Sequence, residues 1–129
     1  MRYRQGLTIP AGTVQSDPEV VELEVAPGII TEVEINFPAG HSGLTYVQIY
    51  YQERQIFPTT PGIAFRGDDT LISFSESWAI LEVPHILEIR GWSPSAIYDH
   101  TVFVDITISE DLYTGEFSSR MVELPEGFI

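Results

Sequence analysis

The chain contains no cysteine, and its six basic residues are Arg2, Arg4, Arg54, Arg66, Arg90 and Arg120, so it contains no lysine either. Without cysteine there can be no disulfide, no thiol nucleophile and no thiolate metal ligand. Positive charge of any kind is scarce: six basic residues stand against nineteen acidic ones, for a formal charge of −13. That balance repels a phosphate backbone or an anionic bilayer surface, both of which need Arg/Lys-dense patches, so neither nucleic acid nor membrane is an expected partner. Long hydrophobic runs are missing as well. No window approaches the roughly 18 apolar residues of a membrane-spanning helix, and residues 1–9 carry Arg2 and Arg4 but no apolar core of a secretory signal. A product made in the cytoplasm, without a signal peptide, is expected.

What the sequence does have is strand chemistry. Its 129 residues, 43% of them hydrophobic, suffice for one domain with a sizeable core. The apolar period is two almost throughout, and no stretch of ten or more residues carries a helical apolar stripe free of Pro and Gly. In residues 18–25, Val21, Leu23 and Val25 face one way and Glu22 and Glu24 the other; in residues 29–37, Val33, Ile35 and Phe37 alternate with Glu32, Glu34 and Asn36. Pro27-Gly28 between them reads as a turn, which makes the pair a hairpin with the four glutamates on its outer face.

A third strand is predicted over residues 44–52, with Val47 and Ile49 inward and Tyr46, Gln48 and Tyr50 outward. Short strands follow over residues 55–57, 63–65 and 70–74, then over 78–83 and 86–92 on either side of Pro84. In residues 100–108, Val102, Val104, Ile106 and Ile108 alternate with Thr101, Phe103, Asp105 and Thr107, the pattern of a central strand. The fold class is all-β: a single antiparallel β-sandwich, jelly-roll or immunoglobulin-like, of seven to eight short strands. Residues 1–109 form the sandwich with a short N-terminal arm. Residues 110–129 form a C-terminal extension that loses the alternation but keeps apolar side chains, and it either packs on its own sandwich or docks on a neighbouring subunit.

Catalytic signatures are absent. No Gly-x-Ser-x-Gly nucleophile turn occurs, and no Gly-rich phosphate loop. His41, His85 and His100 are isolated, unlike the closely spaced histidines of a cupin metal site, and Asp68-Asp69 lacks the ligand spacing of a calcium loop. A non-enzymatic protein without metal or cofactor is expected. Arg66-Gly67-Asp68 spells an adhesion tripeptide, but a turn glycine between charged residues accounts for it as well. The better candidates for contact are aromatic. Tyr46 and Tyr50 lie opposite the core-facing Val47 and Ile49, and Leu112, Tyr113, Phe117, Leu124 and Phe128 are the apolar anchors of the C-terminal segment. These seven form the candidate interface.

The order Leu7-Thr8-Ile9-Pro10-Ala11-Gly12-Thr13, Pro27-Gly28-Ile29-Ile30-Thr31, Phe37-Pro38-Ala39-Gly40, Gln55-Ile56-Phe57-Pro58 and Gly67-Asp68-Asp69-Thr70 resembles small β-sandwich virion proteins of tailed bacteriophages, nearest to capsid decoration or cement proteins. The resemblance spans residues 7–108 and rests on turn-strand junctions. It implies a structural protein on the virion, commonly a homotrimer, that clamps subunits of the major capsid protein. The rival expectation is a carbohydrate-binding module that presents Tyr46, Tyr50, Trp78 and Trp92 to a glycan.

Overall fold

A computed structural model describes residues 1–40 and 42–110. Nine strands run antiparallel to their neighbours: β1 (Arg2–Ile9), β2 (Glu19–Glu24), β3 (Gly28–Phe37), β4 (Tyr46–Tyr51), β5 (Arg54–Phe57), β6 (Phe65–Arg66), β7 (Thr70–Ile80), β8 (Ile86–Trp92) and β9 (His100–Ser109). One sheet has the order β1-β9-β3-β7; the other has the order β2-β8-β4-β5, with β6 also paired to β4. The two sheets form the expected sandwich.

The strand order decides its topology. Setting β6 aside, the first strand pairs with the last (β1 with β9), the second with the next to last (β2 with β8), then β3 with β7 and β4 with β5. A long hairpin has been wrapped around a barrel-like core, which is the jelly roll. The immunoglobulin order would instead place the second and fifth strands in one sheet beside the first. β6 is the addition: it continues the edge beside β4 where β5 leaves off, pairing Phe65 with Val47 and Arg66 with Tyr46.

The core lies where the inner faces meet. Val33, Ile35 and Phe37 of β3 and Val102, Val104, Ile106 and Ile108 of β9 face Val47 and Ile49 of β4 and Leu87 and Ile89 of β8, and all of these are fully buried. β9 is central in its sheet, as its alternation predicts, because both of its edges are hydrogen-bonded, to β1 and to β3. On one flank the sheets close tightly: a Cβ on Gly91 of β8 would stand 2.9 Å from Leu7 Cδ2 of β1. On the other flank Phe57 packs edge-on against Phe74 and Trp78 of β7.

Several sequence expectations need correction. Residues 18–37 are not a hairpin: β2 and β3 belong to different sheets, and the chain crosses between them at residues 25–28. Alternation reveals which side of a strand is buried, but both sheets bury an inner face, so it cannot say which sheet a strand joins. Gly28 serves the crossing by close approach, since a Cβ there would lie 2.7 Å from the Ser109 carbonyl oxygen. Residues 70–80 form one continuous strand rather than two, and residues 81–85 form the turn. The expected N-terminal arm is strand β1, because Leu7 and Ile9 alternate with Thr8 and bury against the opposite sheet. The described residues form nine strands rather than seven or eight.

Candidate binding surfaces

The outer face of the β2-β8-β4-β5 sheet carries the predicted aromatics, and it is an organised surface. Tyr46 of β4 lies directly across from Trp92 of β8, and the two rings stack with centroids 5.9 Å apart. The Arg66 guanidinium sits 4.9 Å from the Tyr46 ring centroid. Arg90 lies 3.8 Å from the centroid of Tyr50 and donates from Nε and Nη2 to Glu88 Oε1 at 3.1 and 2.7 Å. A guanidinium over an aromatic face is attracted by the ring quadrupole while its edge stays free to hydrogen-bond. Both tyrosines are half-buried and Trp92 is buried, and one face of each tyrosine ring carries an arginine guanidinium.

Between the tyrosines, Gln48 points outward yet is only 4% exposed. Its Nε2 donates to Gln55 Oε1 at 3.1 Å and to the Ile63 carbonyl at 3.0 Å, while Tyr50 Oη donates to its Oε1 at 3.4 Å. Gln55 in turn donates to the carbonyls of Pro58, Thr60 and Ile63 and accepts from the Gly62 amide. Two glutamines thus hold the segment 58–63 on the sheet by satisfying its backbone groups.

The outer face of the other sheet carries a charge network. Arg2 donates to Glu34 Oε1 at 2.7 Å and to Asp105 Oδ2 at 3.0 Å, and Arg4 reaches the same Oδ2 at 3.3 Å while lying over the Phe103 ring. The hydrogen bonds that Arg2 donates to Asp105, and next to Glu34, raise its pKa above the ordinary value. Asp105 is 8% exposed and its Oδ1 has no hydrogen-bond partner among the described residues. Glu32 and Glu34 therefore lie on this face, while Glu22 and Glu24 lie on the opposite one. The predicted single glutamate surface is split across the sandwich, and the half on this sheet is paired with Arg2.

At the end of the roll where β1 stops, two loops are tied together. The Gly12 amide donates to the Ser93 carbonyl at 3.1 Å, the Ser93 amide to the Thr13 carbonyl at 2.9 Å, and the Ala11 amide to Asp99 Oδ1 at 2.9 Å. From these braced loops Val14, Ile97 and Tyr98 project into solvent, the last two 78% and 69% exposed. Such a cluster on rigid loops is a contact surface in form. The sequence marks it only by placing apolar residues between turn signals.

The remaining candidates divide plainly. Asp68 of the tripeptide accepts from the Gly40 amide at 2.9 Å, and Arg66 is occupied by Tyr46, so both charged ends are engaged within the fold. His85 Nε2 is 3.3 Å from the Leu81 carbonyl, and His100 lies at the other end of the roll, paired with Ile9. Among the described residues no three His, Asp or Glu side chains converge to hold a metal ion. Leu112, Tyr113, Phe117, Leu124 and Phe128, together with His41, lie outside the described residues. Comparison with protein-family models, with curated proteins and with solved structures finds no significant match for this chain.

Proposed function

We infer that the chain is a non-enzymatic structural protein of a virus particle, a jelly roll that decorates or cements the capsid of a tailed bacteriophage. Its partners in this reading are further copies of itself, as a homotrimer, and the major capsid protein. The observation that carries the reading is the nested strand order, β1-β9-β3-β7 over β2-β8-β4-β5, an architecture shared by viral capsid domains, lectin domains and cupins. Fold alone assigns no function, so the surface has to choose among these uses. A cupin reading lacks its converging metal ligands among the described residues. The braced loops with Ile97 and Tyr98 supply an apolar contact patch on a protein whose charge of −13 otherwise keeps copies apart.

The test is co-sedimentation of the purified chain with phage capsids that lack it, alongside analytical ultracentrifugation of the free chain. Binding and a trimeric mass are expected, with binding lost in an Ile97→Asp/Tyr98→Asp variant and on removal of residues 110–129. A chain that ignores capsids and stays monomeric overturns the reading. A truncated chain that binds unchanged removes the C-terminal segment from it.

A further inference from the structure

The two flanks of the roll differ. Where β1 meets β2 and β8 the sheets close against each other, but on the other flank the free edges β5 and β7 are held together mainly by Phe57 against Phe74 and Trp78. Toward the Gln52-Glu53 turn the edges part and leave a cleft of about 340 Å³. That volume falls in the range of small-ligand sites.

The walls are of two kinds. Trp78, Ile56 and Leu81 give apolar surface, and Arg54, Gln52 and Glu82 give polar groups. Arg54 is the unusual member. It pairs across the ladder with Tyr51, so the two side chains share one side of the sheet at its edge, Tyr51 buried and Arg54 exposed. Among the described residues, Arg2, Arg4 and Arg90 are held in ion pairs and Arg66 lies over Tyr46, whereas Arg54 has neither kind of partner. Among the described arginines, the uncommitted one lines the cleft. The opposite rim is fixed: Tyr51 Oη donates to the Glu82 carbonyl at 2.5 Å and accepts from the Glu82 amide at 3.1 Å. Gln52 Nε2 is spent on the carbonyls of Val83 and Pro84, which leaves its Oε1 as an acceptor.

We propose that this cleft between β5 and β7 binds a neutral saccharide, with Trp78 as apolar wall and Arg54, Glu82 and Gln52 as partners for its hydroxyls. The guanidinium only donates and the carboxylate and Oε1 only accept, so the complementary ligand must offer both functions at adjacent atoms, as vicinal hydroxyls do. A sugar ring also presents an apolar C–H face that suits an indole. A neutral ligand can meet both Arg54 and Glu82 without opposing either charge, whereas an anion also meets the field of the acidic chain. The site is separate from the Tyr46-Trp92 surface, whose rings are already engaged.

The experiment uses the full chain and a panel of neutral sugars: glucose, galactose, mannose, N-acetylglucosamine, cellobiose, lactose and maltose, each at millimolar concentration. Saturation-transfer NMR detects the bound sugar, and tryptophan emission is followed in the parent and in a Trp92→Phe variant, where Trp78 is the single remaining tryptophan. Saturable signal from at least one sugar is expected in both readouts, weakened at least tenfold in Arg54→Ala and in Glu82→Ala. Circular dichroism confirms that these exposed substitutions leave the fold intact. No saturable signal with any sugar of the panel overturns the proposal, as does binding unchanged by Arg54→Ala or a response to uronic acids alone. Capsid co-sedimentation of Arg54→Ala separates this outcome from the preceding one, because the cleft lies away from Ile97 and Tyr98 and that binding is expected to be retained.

Discussion

Gly91 of β8 and Ile9 of β1 face each other across the sandwich so closely that a Cβ added to Gly91 would overlap the Ile9 side chain, approaching Cγ1 to 3.0 Å. Ile9 is fully buried and Leu7, the other neighbour, is 3% exposed, so neither has free space to yield into. Gly91 is the point at which the two sheets come together.

Gly91→Ala is therefore expected to destabilise the fold by about 1–3 kcal/mol through overpacking. Urea unfolding followed by circular dichroism measures this. Because the closest overlap is with the Ile9 side chain, Ile9→Val in the Gly91→Ala background should recover part of the loss, although alone it costs about 0.5–1.5 kcal/mol. Strictly additive losses would show that the two residues do not meet as described.

Gln55 binds the carbonyls of Pro58, Thr60 and Ile63 through one amide nitrogen and the Gly62 amide through its oxygen. Gln55→Ala removes these partners together and strands Gln48 beneath the segment. A cost of about 1–3 kcal/mol is expected, together with faster amide exchange over residues 58–64 and little change in β9. Hydrogen exchange resolved by residue distinguishes this local release from a global loss of stability.

The Arg2 cluster makes a statement about salt and pH. Arg2 has a raised pKa in the folded chain, owing first to Asp105 and then to Glu34. A raised value stabilises the fold at every pH below the ordinary arginine range and is lost only as pH climbs past the folded-state value. Titration of Arg2 itself thus contributes no pH dependence near neutrality. Arg2→Gln is expected to lower the melting temperature at low salt, with the deficit shrinking toward about 1 M salt, where screening acts over about 3 Å. A deficit independent of salt would assign Arg2 a packing role instead.

The residues that the sequence made legible are those governed by a single strand. Val102, Val104, Ile106 and Ile108 are buried as their alternation predicts, and so are Val33, Ile35 and Phe37. What stayed hidden depends on which strands become neighbours. Glu22 and Glu32 carry the same local pattern but end on opposite faces of the sandwich, and Tyr46 looks exposed until Trp92 and Arg66 are brought onto its ring. Arg54 and Trp78 lie 24 positions apart in the sequence and share a cleft only because β5 and β7 are the free edges of facing sheets. Gln48 follows the same logic: its polarity on an outward position is ordinary, and its burial arises from a segment that folds back over it.

The nested pairing also governs the order in which the molecule can be made. Arg2 pairs with Thr107 and Ile9 with His100, so β1 must wait for β9, the described strand farthest from it in sequence, before it finds its place. Meanwhile only the innermost pair, β4 with β5, is local enough to form early. Closing the outer pairs requires ordering nearly the whole described chain first, which places folding in the slow, millisecond-to-second regime of non-local β proteins. During that interval the unpaired strands are open to other chains, and the acidic residues Glu19, Glu22 and Glu24 on β2 guard one of those edges while the roll is still unclosed.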